Sequence, residues 1–495
     1  VISTSLSYSN ARDMVLAQQE AIGRLSQQLG TGARMLSPSD DPLGAAQSIN
    51  VRQADAMNTT FKANRGSASD ALGNENNTLN SVVLNLQSSL QTVVAAGNLT
   101  ISDTARAAYA TQLQSLRDAL LGLANTKDGS GTYMFSGYNG ASQPFNADGS
   151  YAIPDSANQQ RLVQVNSTRQ LSNGDVGSDV FARANPGAQG YIATAGASNV
   201  GTGTFSQISF DPKGANATDN FTVTFSNDAA GNLQYTAVGT PTLPNTSVVI
   251  DATALTANVA ASTGGAAGGT IVGGVQVADD GKYYVQVTGG ATDGLYEVNI
   301  DSAGAATLAP ATTPTTPAPT NLTPTTTAMV FGPPVTIGPK PYVDGEPIDL
   351  DGAKFSVTGT PAVNDTIEVD TNQSADVNVF KTLDDLIAAM KKPMDNDPVA
   401  RAALSNQLAT ANKKLNTVYD NIGTVLASVG ARQNEITDLN TIGNTQTLSN
   451  AKRLSDIENV DIVSAYSEMA LRQTALLAST LATKAIQSSH IYTQS

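Results

Sequence analysis

A chain of 495 residues with a formal net charge of −15, no cysteine, no tryptophan and one histidine, His490, excludes much before any motif is sought. Disulfide and thiolate chemistry are out, and most metal and acid–base constellations lack their commonest ligand. Acidic charge and 5% aromatics argue against phosphate-backbone or stacked-base partners, while the length allows several domains with cores of their own.

The first segment, Val1 to Gly32, has only Arg12, Asp13, Glu20 and Arg24 as charges, while Val15, Ile22, Leu25 and Leu29 keep helical spacing. Ile2 and Leu6 add apolar anchors ahead of them. A solvated helix normally carries a charged face, and this one hardly does, so it reads as a helix to be enclosed on several sides. It shows neither a basic leader nor an apolar run of signal-peptide length, and no stretch of the chain reads as a membrane span.

"LSPSDDPLGAAQ" then breaks the pattern. Pro38 and Pro42 fix their own backbones and turn the residues before them away from helical angles. Asp40 or Asp41 is placed to cap a new helix with Pro42 at its first position. From there Leu72, Asn76, Leu79, Val83, Leu86, Leu90 and Val93 step by four and three, a heptad seam with one polar member, and the helix should run to about Gly97. After "GNLTISD", Ser102 or Asp103 should cap a helix with Tyr109, Leu113, Leu116, Leu120 and Leu123 as its stripe.

From Phe145 to Asp376 the texture changes to Gly, Thr, Asn and Val, with short alternating runs such as "NFTVTFS", "YYVQVTG" and "FSVTGT" that read as strands. Ser302 to Pro339 is uncharged and rich in proline and threonine, and is expected to be an extended linker. Helical pattern returns with Leu404, Leu408, Ala411, Leu415, Val418, Ile422, Val425 and Val429, extended by Ile436 and Leu439. After Asp461 the charges are again few. Ile462, Met469, Leu476 and Ile486 line one side, and Val463, Tyr466, Ala470, Leu477 and Leu481 the other.

The chemistry is sparse. "DLDG" at Asp349–Gly352 and "DNDP" at Asp395–Pro398 lack full calcium-loop spacing and read as turns or caps. "ASTGGAAGGTIVGG" lacks the lysine and the following helix of a phosphate loop. His490 sits near the end of a helix, a poor scaffold for a nucleophile–base pair. No cofactor, metal or catalytic set is expected, and the chain does not read as an enzyme.

Several stretches are similar to the bacterial flagellin superfamily, most of all to its hook–filament junction branch, the hook-associated protein 3 family. They are "ISTSLSYS" at Ile2–Ser9, "LSQQLGTGARMLSPSDDPLGAAQ" at Leu25–Gln47 and "LLGLANTKDGSGTYMFSG" at Leu120–Gly137. At the other end they are "VLASVGARQNEI" at Val425–Ile436 and the run from Leu454 to Ile486. The resemblance implies an α+β multidomain protein whose long terminal helices pair into a coiled-coil-like bundle around a β-rich centre. Residues 1–41 and 460–495 would be terminal helices of an inner tube, disordered in the monomer. Residues 42–153 and 375–459 would form the bundle, and 154–374 an outer β domain with 185–334 inserted and 302–339 as linker.

The implied partners are further copies, an adjacent hook-associated protein on the hook side, flagellin on the filament side and a flagellar export chaperone. Export would use the flagellar type III route with no cleaved signal, to the flagellum outside the cell. The assembly interface would then comprise Ile2, Leu6, Val15, Ile22, Leu25, Leu29, Ile462, Tyr466, Met469, Leu476, Leu477, Leu481 and Ile486, with Pro38, Asp40, Asp41 and Pro42 as interdomain turn. Filament flagellin is the rival within the resemblance. A surface adhesin presented by the β region is the rival outside it.

Overall fold

A computed structural model describes residues 2–98, 100–154, 159–242, 246–249, 270–277, 282–288, 294–300, 306–308, 323–324, 327–330, 334–394 and 397–491. The chain divides into two compact units. The first holds Val1–Glu75, Gln160–Gly174 and Ser428–Ser495, and the second Asn76–Gln159 and Asp175–Ala427. Among the described residues no helix is long and apolar enough to cross a membrane.

Two long helices run through both units: α2 over Pro42–Ala96 and α6 over Pro398–Glu458. Each begins with the same device. Asp41 accepts from the Gly44 amide at 2.8 Å, and Asp397 accepts from Val399 and Ala400 at 2.9 and 3.0 Å, each with proline at the first helical position. Asp397 of the "DNDP" stretch is therefore a helix cap, while Asp395 and Asn396 lie outside the described residues. On α2 the buried line is Ala68, Leu72, Glu75, Leu79, Val82, Leu86, Ser89 and Val93. The predicted Leu72, Leu79, Leu86 and Val93 belong to it, but Asn76, Val83 and Leu90 are only half-buried. The alternating steps of three and four fall one residue earlier than hydrophobicity suggests, because Glu75 and Ser89 lie inside. Asn76 instead accepts from Asn80, one turn on, at 2.7 Å. On α6 every predicted seam residue from Leu404 to Val429 is buried except Val425, which is half-buried.

In the first unit α1, Ile2–Thr31, lies against α7, Ile462–Ile491, and α2 runs antiparallel to α6. The Asn58 amide donates to the Gly443 carbonyl at 2.7 Å, and Arg52 forks onto Glu458 at 2.8 and 2.9 Å. A hairpin of β1, Leu162–Asn166, and β2, Arg169–Ser172, is tied to these helices by Arg65 and Arg169. Arg65, almost fully buried, donates to Asn440 at 2.7 Å and to the Val165 carbonyl at 2.9 Å. Burial pushes its guanidinium below the usual value. A side chain at Gly443 would stand 2.5 Å from that guanidinium, so glycine leaves it room. Arg169 forks onto Glu435 at 2.6 and 2.9 Å.

In the second unit α3, Asp103–Ala124, is capped by Ser102, as expected. Its buried face is rotated from the predicted stripe: Leu113 and Leu120 are inside, but Tyr109, Leu116 and Leu123 are half-buried. Arg106, Ala110, Arg117 and Ala124 complete the buried line. The two arginines reach carbonyls and carboxylates beyond the helix, which is why charge does not keep them outside. α3 packs on α5, Val379–Met390. Phe145 stands at the centre of an aromatic cluster with Tyr151, Phe181 and Phe380, ring centroids 5.1–5.5 Å away.

The β region is a sandwich. Its larger sheet has five antiparallel strands in the order Val335–Pro341 (β15), Leu233–Pro241 (β7), Asp219–Asn227 (β6), Thr366–Thr371 (β18) and Tyr191–Ala195 (β3). Opposite it, β17 (Ala353–Thr358) pairs with β16 (Pro347–Asp349), β4 (Thr204–Phe205) and β5 (Ser209–Phe210). Phe221, Phe225, Tyr235, Phe355, Val357 and Val369 fill the core between. The turn at "DLDG" joins β16 to β17, with the Asp351 amide donating to Asp349 at 3.0 Å.

This topology corrects the expected insertion at 185–334. Strands β3, β6 and β7 are ladder partners of β18 and β15, so the sandwich runs to Pro241 and resumes at Val335, with the added strands between the two. Those include a five-stranded sheet built around Thr270–Val277, Tyr283–Thr288 and Gly294–Ile300. Of the expected linker at 302–339, 306–308, 323–324, 327–330 and 335–339 are strand, and most of the remainder lies outside the described residues.

A row of polar residues on α6 fastens the sandwich, and the short helix α4 at Gly177–Phe181, to that helix within the second unit. Asn406 accepts from the Phe205 amide at 3.1 Å and donates to the Gly203 carbonyl at 2.9 Å, so it seals the β4 edge. Thr410 donates to the Ala193 carbonyl at 2.7 Å and Asn421 to the Asp179 carbonyl at 2.7 Å. All three are buried, and unpaired they would cost the full desolvation of each group.

Candidate assembly surface

α1 and α7 pair antiparallel. The Val460 amide donates to the Gly32 carbonyl at 3.0 Å at one end, and Arg472 reaches Gln18 at 3.5 Å further along. On α1 the inward positions are Val15, Gln18, Ile22, Leu25 and Leu29, and on α7 Ala465, Met469, Arg472 and Leu476, each in heptad steps. Leu25, 8% exposed, is the most buried of the α1 set. Among the expected interface residues, Val15, Ile22, Leu25, Leu29, Met469 and Leu476 are thus taken up by the pairing of the two helices. Ile462 is not on that side: it is 64% exposed. The side chains of Ile2 and Ile486 lie outside the described residues.

Among the described residues nothing covers the other face of α7. Val463, Tyr466, Leu477 and Leu481 are 64–77% exposed, with Leu471 beside them, and Leu6, Met14 and Leu16 are exposed on α1. Scattered apolar residues on a surface need no explanation, but a continuous run on a helix with three charges does.

Between the terminal helices and the long helices the two chain directions are clasped. Ala33 bridges Asn459, and the Arg34 amide donates to the Glu458 carbonyl at 2.7 Å. The Arg34 guanidinium donates to the Ile457 carbonyl at 2.9 Å and to Asp41 at 3.0 Å. Asp41 therefore caps α2 with one oxygen and holds Arg34 with the other. Asp40 accepts from the amides of Leu36 and Ser37 at 3.0 and 2.8 Å, and these bonds hold its carboxyl below the usual value. Asp461 caps α7 through the Val463 and Ser464 amides and the Ser464 hydroxyl, and is lowered for the same reason. The left-handed turn at Gly32, φ +73°, brings the chain out of α1 into the clasp. The turn residues were expected at this place; Arg34 was not.

A pH dependence follows with a definite sign. Both carboxyls titrate lower folded than unfolded, so their stabilisation is present above the unfolded value of about 3.9 and is lost as pH falls through the lower folded one. Amide exchange at Ser37 and Ser464 should accelerate, relative to intrinsic rates, once pH drops below about 4. Protection unchanged down to pH 2 would show that these carboxylates hold nothing.

Comparison with known proteins places these features. Residues 2–140 match the bacterial flagellin N-terminal helical region, and 245–329 the flagellin D3 domain. The chain carries a flagellin-type N-terminal region. It is 36% identical over 181 residues to flagellar hook-associated protein 3 of Salmonella typhimurium and to that of Escherichia coli. The match takes in 36% of this chain and 56% of each relative, so the chain spans about half the length of the curated relatives it matches. In fold it is similar to hook-associated protein 3 of Legionella pneumophila, with TM-score 0.54, 22% identity, and coverage of 82% of this chain and 98% of that one. FlgL of Xanthomonas campestris gives TM-score 0.52 at 22% identity, covering 82% and 99%. The α+β fold with long terminal helices and a β-rich middle is shared with these structures, and the D3 match falls on the strands added between β7 and β15.

Proposed function

We propose that this chain is a structural component of the bacterial flagellum that forms the junction between hook and filament by polymerising through its terminal helices. One observation carries the reading: α7 shows one apolar face paired with α1 and a second left bare, as a helix designed for enclosure by other copies would. The likeness to hook-associated protein 3 supports the position in the flagellum. The partners are further copies, a hook-associated protein on one side, flagellin on the other and an export chaperone before assembly. The terminal helices order fully when assembled, the protein acts outside the cell, and it catalyses nothing.

The test adds purified protein to hook-protein polymers and follows the product by sedimentation and negative-stain microscopy. A finite terminal layer that then permits added flagellin to elongate is the expected result. Long filaments from this chain alone would make it a flagellin instead.

A further inference from the structure

The chain contains two Asn–Gly steps, Asn139–Gly140 and Asn173–Gly174. Glycine has no side chain to shield its amide nitrogen, so in such a step that nitrogen can reach the carboxamide of the asparagine before it. The fold treats the two steps differently.

Asn139–Gly140 lies in the second unit, in the loops that follow α3. Tyr138 beside it is 58% exposed, Ala141 is exposed, and both residues of the step are partly open to solvent. Its main chain is held in place. The Asn139 amide donates to the Ser136 carbonyl at 3.1 Å, and the Asn139 carbonyl accepts from the Ser142 amide at 2.9 Å. The Gly140 carbonyl accepts from the Tyr133 amide at 2.9 Å. Yet among the described residues neither the Asn139 carboxamide nor the Gly140 amide has a hydrogen-bond partner.

Asn173–Gly174 is set between buried residues, Leu171 and Ser172 before it and Asp175 and Val176 after it. The Ser172 hydroxyl brackets Gly174, donating to its carbonyl at 2.6 Å and accepting from its amide at 3.5 Å. An amide already donating must give up that bond before its nitrogen can attack.

We infer that Asn139 is a site of spontaneous deamidation, and that the fold directs the reaction there and away from Asn173. Hydroxide takes the Gly140 amide proton, and the nitrogen bonds to Cγ of Asn139. The Cγ–Nδ2 bond breaks, the departing nitrogen regains a proton from water, and ammonia leaves a closed succinimide. Water then opens the ring, at Cγ to give aspartate or at the main-chain carbonyl to give isoaspartate. The net change is water in and ammonia out. Each event adds a carboxylate beside Tyr138 on a chain already at −15. Isoaspartate also lengthens the backbone ahead of Gly140 and draws its carbonyl off the Tyr133 amide. None of this rests on the assembly reading.

The test holds the full chain in mildly alkaline buffer and digests samples with trypsin over several days. The two steps fall in separate peptides, Asp128–Arg161 and Gln170–Arg183, and tandem mass spectrometry locates the gain in mass. Asn139 should convert about five times faster than Asn173, the ratio that one net hydrogen bond on the attacking amide implies. In urea the two rates should converge. Gly140→Ala should slow conversion at Asn139 and leave Asn173 unchanged, and amide exchange at Tyr133 should quicken in the isoaspartate fraction. Equal rates in the folded chain, faster conversion at Asn173, or conversion at Asn139 only in urea would each overturn the inference.

Discussion

Replacing Leu477 and Leu481 together by aspartate should leave the monomer's circular dichroism and melting unchanged and abolish the terminal layer that sediments with hook-protein polymers. In the single chain these side chains are 65% and 67% exposed, so neither substitution removes a packed contact. Enclosure by other copies changes the balance. Burying a leucine contributes about 1.5–3 kcal/mol, and a carboxylate buried in its place without a partner costs several more. A combined loss beyond about 4 kcal/mol raises the assembly threshold by about a thousandfold. The control is Leu25→Asp, at a position 8% exposed against α7, which should lower the stability of the helix pair itself. A terminal layer of Leu477→Asp/Leu481→Asp forming at the normal concentration would remove the bare face of α7 from the mechanism.

What could be read from the sequence, and what could not, follows from the range of each interaction. The start of α2 was legible because Asp41, Pro42 and Gly44 act on one another within four residues. Arg34 was not, because its partner Ile457 lies 423 residues away and nothing near it marks it as a hub. The α2 seam was half legible. Leu72, Leu79, Leu86 and Val93 announce themselves, but Glu75 and Ser89 are polar and buried, and Asn76, Val83 and Leu90 keep the same four-and-three spacing one residue later, so spacing alone cannot tell the two lines apart. The sandwich strands β6 and β7 alternate just as the added strands do, so only ladder pairing with β18 separates them. The two faces of α7 follow the spacing at Met469 and Leu476 on one side and Val463, Tyr466, Leu477 and Leu481 on the other, but not at Ile462, which is exposed. Which face pairs with α1 is a property of α1, and only the folded chain shows it.

Arg106→Met should be the most damaging single change in the second unit. Arg106 is 1% exposed, and its guanidinium donates to the Met390 carbonyl at 3.1 Å, to the Lys392 carbonyl at 3.0 Å and to Asp103. The Met390 carbonyl is one that α5 leaves open where it ends, and Lys392 follows just past the cap, so a side chain from α3 closes the helix end. Asp103 in turn accepts from the Met394 amide at 3.2 Å. Methionine keeps the length and apolar stem of the side chain while removing all of these bonds. It leaves two buried carbonyls without this donor, at about 1–3 kcal/mol each, and takes the cation from a carboxylate whose side chain is 30% exposed. Lysine should recover only part, because a single ammonium cannot reach both carbonyls and the carboxylate as the planar fork does. Urea denaturation with probes in α3 and α5 measures this. The double variant with Asp103→Asn should cost less than the sum of the single changes, since the second removes the charge the first has stranded. Strict additivity, or a loss below about 1 kcal/mol for Arg106→Met, would mean that water replaces the guanidinium and that the end of α5 does not depend on α3.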